Sequence, residues 1–240
     1  VTDDLALVNA VIASAKKNGA DCREHAEVET YAYMPGAQCY RLSVKYDERI
    51  QEFHVRKIID AAGPWVDEVR KSAKEKDHSW IAPVAGAHVW VRSFLPCSVL
   101  LEAEDGRPFF VIRFGERSRI GTTERAVTDP GKVKPTADEI DYLPRSAANY
   151  FPEYAMTKKD VLDADAGVRP LAAPQRGGSL NEISREHEIR VSPSGVIHML
   201  GVKLTDHRRA AAEVLDRLVP SLLAFNPKAK RKTSTHKHSL

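Results

Sequence analysis

Four strand-like runs follow one another between Gly86 and Glu124, and this block constrains the fold more than any other part of the sequence. The runs AHVWVR, CSVLLEA, PFFVIRF and SRIGTTE are separated only by short loops around FLP, EDGR and GER. Their β-branched and aromatic residues suit a pleated, half-buried surface. The block therefore predicts a sheet of mixed or antiparallel strands.

Helical and strand-like patterns alternate irregularly along the rest of the chain. Apolar residues at helical spacing predict a first helix that is capped by Thr2 or Asp3 and stops at Gly19. From Ala26 to Ala62 the apolar period changes to two, which predicts a small antiparallel meander. Without regular βαβ alternation, the mixture predicts an α/β fold of the composite, α+β kind.

Two further helices are predicted in the second half. Thr136 and Glu139 have the spacing of a capping box and open a helix that reaches Phe151. Pro144 lies inside it, and because an interior proline costs a helix about 3 kcal/mol, we expect a kink or an early break there. A last helix, capped by Thr205, is predicted to end near Leu218.

Charge argues against a nucleic-acid partner. Lys and Arg number 36 and Asp and Glu 33, so the formal charge of +3 is close to balance. Much of the excess lies in a basic segment, 223–240, which we expect to be disordered. This segment could contact anionic lipid headgroups, although a solvated tail is the simpler interpretation.

Cysteine content and hydropathy indicate the compartment. Cys22, Cys39 and Cys97 are odd in number and far apart, which fits a reducing compartment and predicts no disulfide and no metal site. No apolar run approaches the roughly 18 residues of a membrane span. We therefore expect a cytoplasmic location, with a peripheral position on the inner membrane as an alternative.

Small residues and polar groups end several apolar runs, where ligand sites tend to form. They are the turn Ala61–Trp65, His88 in GAHVWV, the threonine pair before Glu124, and Gly201–Thr205 with Lys203. A helix start after Lys203 would favour an anion or an electron-rich carbonyl. Each feature has a structural alternative: a plain turn, a core histidine, threonines that only support a strand end, or a solvated lysine.

Arg169 lies at the end of another apolar run, in DADAGVRPLAAPQRGG. It is flanked by Val168 and Pro170, which predicts a side chain held in place, and a held guanidinium usually meets an anion. The alternative is an ion pair with Asp163 or Asp165. The sequence contains no G-x-G-x-x-G, no phosphate-binding P-loop, no H-E-x-x-H and no G-x-S-x-G.

Taken in order, the segments resemble one family. AAGPWVDEV, GAHVWV, IGTTERAVTDPGKV, DEIDYLPRSAANYF, AGVRPL and VKLTDHRRAAAEVLDRL are similar to the FAD-dependent glycerol-3-phosphate dehydrogenases. The likeness extends from about Val1 to Leu218 and is specific as a set, although each piece is weak. It implies a DAO-like flavoprotein fold, with part of an FAD-binding domain at 1–80, a substrate-binding domain at 81–192 and a return to the FAD-binding domain at 193–222.

The resemblance also implies an activity and site residues. The reaction would be FAD-dependent oxidation of sn-glycerol 3-phosphate to dihydroxyacetone phosphate, with electrons passed to quinone. His88, Arg169 and Lys203 would be catalytic and would bind substrate together with Thr123, His88 accepting the proton of the C2 hydroxyl. The residues implied at the cofactor are Ala62, Gly63, Trp65, Gly201, Lys203, Leu204 and Thr205.

Departures from the family leave alternatives open. Val202 replaces the usual glycine before the lysine, Glu124 replaces an aspartate, and the dinucleotide fingerprint does not occur in the 240 residues. We therefore expect these residues alone to bind FAD weakly, as part of a longer enzyme or as a truncated relative. A non-catalytic binding module and a flavin oxidase of another hydroxy acid remain alternatives, and a homodimer is left open.

Overall fold

The structure is a computed structural model that describes residues 3–75, 78–173 and 186–224. It divides into a first unit, which runs up to Trp80 and resumes at Ala172, and a second unit, Ile81–Leu171. The helices are α1 Asp4–Lys17, α2 Val66–Ser72, α3 Ala137–Ala148 and α4 His207–Leu223. The strands are β1 Ala26–Met34, β2 Cys39–Tyr46, β3 Arg49–Val55, β4 Ile59–Asp60, β5 Ile81–Arg92, β6 Val99–Glu102, β7 Pro108–Phe114, β8 Arg117–Gly121, β9 Arg125–Ala126, β10 Asp163–Ala172, β11 Glu188–Val191 and β12 Ile197–Leu200.

The first helix and the meander form as the sequence predicts. The Asp3 carboxylate accepts a hydrogen bond from the Ala6 N–H at 2.9 Å and so caps α1. Strands β1, β2 and β3 form an antiparallel sheet in that order. Tyr31 and Tyr40 pack with Val196 into a small core beneath it.

The first unit also contains a mixed sheet with the order β11-β12-β4. Strand β12 is antiparallel to β11 and parallel to β4, and helix α4 packs Val214 and Leu218 against Ile197. Strand β11 pairs within this sheet, and the first unit resumes at Ala172. The compact second unit ends at Leu171, whereas the sequence predicts a substrate-binding domain at 81–192, and the role of that domain stays a prediction.

The predicted cap of the last helix is wrong. Leu204–Asp206 form a 3-10 turn, so Thr205 lies inside that turn, and α4 begins at His207. The Asp206 carboxylate is engaged instead by Arg209, at 2.8 Å, and by His187. The helix continues beyond Leu218 to Leu223, and residues 225–240 of the predicted tail lie outside the described residues.

The second unit is built on a six-stranded sheet. Its main order is β10-β5-β8-β7-β6, and the short strand β9 also pairs with β5. The four strands predicted between Gly86 and Glu124 are all present, and those whose pairing is given run antiparallel. Helix α3 covers one face, where the core consists of Val89, Val91, Phe109, Val111, Ile120, Leu143 and Ala147.

Helix α3 follows its prediction at its start and differs at its end. Thr136 and Glu139 form the predicted capping box, but the helix ends at Ala148 rather than at Phe151. Of the two alternatives predicted at Pro144, a kink or an early break, the break does not occur at that residue. The Pro144 side chain is fully buried, and its packing offsets part of the roughly 3 kcal/mol that an interior proline costs. No described helix has both the length and the apolar composition needed to cross a membrane.

The packing of α3 on the sheet can be tested at Leu143, which is fully buried. We expect Leu143→Ala to lower the free energy of unfolding by about 2–5 kcal/mol, because it removes buried apolar contacts and leaves a cavity. Urea denaturation followed by circular dichroism measures the change. Leu100→Ala is the control: Leu100 is 62% exposed, so a loss of only about 0.5 kcal/mol is expected. Equal losses would contradict the described core.

Candidate functional site

The face of the second unit's sheet that α3 leaves open carries the polar residues His88 and Arg119. In the antiparallel pairing of β5 with β8, His88 lies opposite Gly121 and Trp90 opposite Arg119. Alternate residues of a strand share a face, so these four lie together, while Val89 and Ile120 point to the core under α3. The adjacent strand β10 brings in Asp165, which pairs with Arg119, and Arg169, whose charge acts on His88.

Two glycines allow His88 and Arg169 to lie close against the sheet. A Cβ atom at Gly121 would collide with the His88 imidazole. A Cβ at Gly86 would lie 3.0 Å from Arg169 Nη1 and 2.8 Å from the Thr123 carbonyl oxygen. Any larger residue at either position would push these side chains off the sheet. The structure thus brings together two of the residues that the sequence predicts for the substrate site.

Arg169 is held on this face by polar neighbours. Its Nη2 donates to Thr122 Oγ1 at 3.0 Å, and its Nη1 lies 3.7 Å from Glu124 Oε1. Strand β10 continues to Ala172, so Arg169 lies within the strand rather than at its end. Asp165, proposed as its ion-pair partner in the structural alternative, is bound instead by Arg119 and by Trp90 Nε1 at 3.0 Å.

His88 contacts a charged pair that the sequence analysis did not identify. Arg119 forms an ion pair with Asp165, and Arg119 Nη2 lies 3.3 Å from His88 Nδ1. Burial, together with the positive charge of Arg119, lowers the pKa of His88 to about 4. The imidazole is therefore uncharged near neutral pH. Arg119 and Asp165 were missed because only the strand register places them beside His88.

The two adjacent threonines have different surroundings. Thr123 is 4% exposed, and its hydroxyl accepts from the Ala87 N–H at 2.9 Å and donates to Glu139 Oε1 at 2.7 Å. These contacts match the structural interpretation of this pair, in which the threonines support the strand end. Thr122, which the sequence analysis did not assign to the substrate, is the one that contacts Arg169.

In the first unit, the residues predicted at the cofactor lie at one edge of the mixed sheet. Strands β4 and β12 are parallel, with Ile59 opposite Ile197 and Asp60 opposite His198. Their carboxyl ends therefore meet at the same edge. The turn with Ala62, Gly63 and Trp65 follows β4, and the turn with Gly201, Lys203, Leu204 and Thr205 follows β12. The crevice outside the carboxyl ends of parallel strands is the usual ligand position in α/β sheets.

The two turns leave their backbones accessible. Gly63 and Gly201 have φ angles of +58° and +65°, in the left-handed region that favours glycine. A Cβ at Gly63 would have no neighbour within 4 Å, so a ligand can approach that backbone closely. Trp65 is 44% exposed. The cavity of about 640 Å³ that it lines with Ala62 is otherwise walled by strands β1–β3, the segment before Ala62 and helix α2, so it lies beside the β4 turn and does not include the residues predicted after β12.

Lys203 belongs to this first-unit crevice, whereas His88 and Arg169 belong to the second unit. Its side chain is exposed, and it directly precedes the 3-10 turn Leu204–Asp206. The first backbone N–H groups of such a turn have no partner within it. A cation and unpaired N–H groups at one point would stabilise negative charge on a ligand there.

A buried hydrogen-bonded pair joins the two strands that lead into these turns, and the sequence analysis missed it. His198 Nδ1 lies 2.8 Å from Asp60 Oδ2, and the two residues are 0% and 5% exposed. The other Asp60 oxygen accepts a hydrogen bond from the Ala62 N–H at 2.9 Å. Asp60 therefore joins β12 to the start of the Gly63 turn. Nothing in the sequence pairs these residues, which are 138 positions apart.

Removal of the Asp60 carboxylate should destabilise the protein strongly. Asp60→Ala leaves the Ala62 N–H and the His198 imidazole buried without their partner, so we expect the free energy of unfolding to fall by about 3 kcal/mol or more. Urea denaturation measures this. Asp60→Asn, which can still accept from Ala62, should lose clearly less, and equal losses in both variants would contradict the role of that hydrogen bond.

The lowered pKa of His88 predicts a pH dependence of stability. As the pH falls below the usual value of 6.5, the unfolded chain takes up a proton at His88 while the folded protein does not until about pH 4. Between these values the free energy of unfolding should fall by up to about 3 kcal/mol through this residue. Urea denaturation of the wild type and of His88→Gln across this range isolates the contribution. Parallel pH profiles would contradict it.

Comparisons with known proteins agree with this geometry. Residues 1–204 match the family described as FAD dependent oxidoreductase. The aerobic glycerol-3-phosphate dehydrogenase of Staphylococcus haemolyticus is 35% identical over 230 residues, which are 92% of this chain and 41% of that protein. The Bacillus subtilis enzyme of the same name is 32% identical, over 90% of this chain and 40% of its own length.

Solved structures show the same likeness. The glycerol-3-phosphate dehydrogenase from Bacillus halodurans, complexed with FAD, aligns with a TM-score of 0.81 and 28% identity, over 92% of this chain and 43% of its own. The glycine oxidase from Geobacillus kaustophilus, at 18% identity and a TM-score of 0.56, shares the fold.

The chain spans about two fifths of the length of these dehydrogenases. The comparisons confirm the resemblance and the fold class predicted from the sequence. Because the family match includes most of the chain, the protein belongs to the FAD-dependent oxidoreductase family.

Proposed function

We propose that this protein is part of an enzyme that oxidises sn-glycerol 3-phosphate to dihydroxyacetone phosphate with FAD as cofactor. The observation that carries the proposal is the open face of the second unit, where an arginine and an uncharged histidine lie against glycines. A small phosphorylated alcohol offers a phosphate to the arginine and a hydroxyl group to the uncharged imidazole. The names of the relatives agree with this substrate.

Arg169 would bind the phosphate of the substrate. A guanidinium is always charged and presents several N–H donors in one plane, which matches the geometry of a phosphate. The Thr122 hydroxyl and strand β10 fix its direction before substrate arrives. This preorganisation reduces the entropy lost on binding. Thr123 keeps its predicted place near the substrate, but its buried hydroxyl would act by supporting the strand end.

His88 would lie at the C2 oxygen of the substrate. Negative charge develops on that oxygen as its proton leaves, and it disappears when C2 gives up its hydride and the carbonyl forms. The low pKa of His88 keeps its ring uncharged at working pH, so it can meet the oxygen as a neutral hydrogen-bonding group. The role that the resemblance implies for His88, acceptance of the C2 hydroxyl proton, requires a ring nitrogen with an available lone pair.

The crevice of the first unit would hold the flavin ring. When bound, FAD supplies the acceptor for the substrate hydride. The backbones of Ala62, Gly63, Gly201, Leu204 and Thr205 would approach the ring, and Trp65 would offer a flat face. Lys203 would stabilise the negative charge of the reduced cofactor, and its predicted contact with the substrate stays part of the proposal.

The electron acceptor is the least constrained part of the proposal. We propose quinone, with the protein peripheral to a membrane, because the resemblance implies both. The relatives are named aerobic enzymes, which agrees with electrons that finally reach oxygen. Reduction of a soluble quinone analogue with and without dissolved oxygen would distinguish this from a flavin oxidase, which would consume oxygen and form peroxide directly.

The proposal predicts the effect of removing the guanidinium. In the complete enzyme, assayed with FAD and an artificial electron acceptor, Arg169→Ala should raise the KM for sn-glycerol 3-phosphate about 10- to 150-fold, since charge-assisted bonds contribute about 1.5–3 kcal/mol. The affinity for FAD, followed by flavin fluorescence, should stay unchanged. Steady-state kinetics measures the first quantity.

Arg145→Ala provides the matched control. Arg145 is an exposed arginine of the same unit, but it lies on helix α3, which covers the opposite face of the sheet, so its KM should equal that of the wild type. An unchanged KM in Arg169→Ala would show that Arg169 does not bind the substrate and has only a structural role. Bound FAD without turnover of sn-glycerol 3-phosphate would favour the non-catalytic alternative or another hydroxy acid.

A further inference from the structure

The contact between Arg119 and His88 determines which ring nitrogen carries the proton. Arg119 Nη2 lies 3.3 Å from His88 Nδ1, within hydrogen-bonding distance. A guanidinium stays protonated in proteins and has only N–H donors, with no lone pair to offer. In this contact Nδ1 must therefore be the acceptor. A neutral imidazole that accepts at Nδ1 carries its hydrogen at Nε2.

Asp165 does not reverse this assignment. Its Oδ1 lies 3.6 Å from His88 Nδ1, too far for a hydrogen bond, and that oxygen already accepts from Arg119. Its Oδ2 accepts from Trp90 Nε1 at 3.0 Å. The carboxylate is therefore used to orient Arg119 and Trp90, and it does not draw a proton to Nδ1.

The other side of the ring faces away from these partners. The His88 side chain is 28% exposed, and its Cδ2, the carbon bonded to Nε2, lies over Gly121. Among residues 3–75, 78–173 and 186–224, Nε2 has no hydrogen-bond partner. An N–H group on the open face is thus available to a ligand.

We propose that Arg119 and Asp165 form a positioning pair that fixes His88 as a hydrogen-bond donor through Nε2–H toward the oxygen of a phosphorylated alcohol. The identity of that ligand rests on the proposed function; the tautomer does not. With Nδ1 occupied by Arg119 and Nε2 protonated, the ring has no lone pair for the C2 hydroxyl proton. His88 therefore donates a hydrogen bond that stabilises negative charge on the C2 oxygen, as a neutral imidazole can, while the hydroxyl proton passes to a water molecule on the open face and the hydride to the FAD of the proposed function.

The charges around the ring favour the same state. Burial opposes protonation of His88 most strongly, and the positive charges of Arg119 and Arg169 oppose it as well. Asp165 favours protonation but is outweighed, so the pKa of His88 falls to about 4. A second proton on Nδ1 would also have to displace the guanidinium. The donor state should therefore persist across the neutral pH range, and substrate binding should not require a prior titration of this residue.

Nuclear magnetic resonance of the full chain labelled with ¹⁵N-histidine tests the proposal. Long-range ¹H–¹⁵N correlations distinguish protonated from unprotonated ring nitrogens, and a His88→Gln spectrum identifies the signals of His88 among the nine histidines. In the wild type at pH 7 we expect His88 to be protonated at Nε2 and unprotonated at Nδ1. On titration, the ring should not protonate until about pH 4.

Substitution of the donor gives the second part of the test. Arg119→Met removes the guanidinium while retaining a long side chain, so the Nδ1-H form should appear and the pKa of His88 should rise toward 6.5. Arg119→Lys, which keeps a donor and a charge, should restore most of the wild-type pattern. Arg117→Met is the matched control. Arg117 lies on the same strand and face as Arg119, but it is paired with Arg92 and Phe114 in the strand register and not with His88. This substitution should leave the tautomer and the pKa of His88 unchanged.

The outcomes separate the two proposals. Protonation of Nδ1 in the wild type would overturn this inference, and so would an unchanged tautomer and pKa in a folded Arg119→Met variant. If that variant does not fold, the wild-type spectrum alone still shows which ring nitrogen of His88 is protonated and so tests the inference. The measurement needs neither FAD nor substrate, so failure to oxidise sn-glycerol 3-phosphate would refute the proposed function while leaving the tautomer result intact.

Discussion

The antiparallel register of β5 against β8 is the constraint on which the candidate substrate face depends. It places His88 over Gly121 and Trp90 beside Arg119, while the intervening residues enter the core under α3. A slip by one residue would turn the imidazole into the core and a valine toward the ligand. The buried valines and Ile120 resist that slip, because it would expose them to water. The apolar core on one face thus fixes the chemistry on the other.

A comparable arrangement exists in the first unit, but there a polar interaction maintains the geometry. The parallel pair β4 and β12 is short, and two ladder positions alone would hold it weakly. Asp60 and His198 are joined across this pair at full burial, and the same carboxylate binds the N–H at the start of the Gly63 turn. Burying charged groups costs free energy unless they are paired. The pair therefore ties the backbone turns predicted at the cofactor to the sheet beneath them.

Much of the fold could be predicted from the sequence because its signals are local. The capping box of Thr136 and Glu139, the meander after Ala26 and the four strands before Glu124 each follow from spacing within a few residues. The errors lie where tertiary packing overrides a local preference. Helix α3 does not break at the buried Pro144 and ends at Ala148, short of the predicted Phe151, and Thr205 does not cap α4 because a 3-10 turn precedes that helix.

The sequence by itself determined which segments form helices and strands and which family the chain resembles. It also indicated His88 and Arg169 as candidate site residues. These signals are local, because the glycines, prolines and charges that carry them lie within a few positions of each residue. Only the tertiary structure decided their partners. The sequence suggested Asp165 only as a partner of Arg169, and it gave no sign of the contacts of Arg119 or of the Asp60–His198 pair, since strand register and parallel pairing bring together residues up to 138 positions apart. Hydrogen bonds and pKa values depend on distances of a few ångströms, and those distances exist only once the sheets have formed.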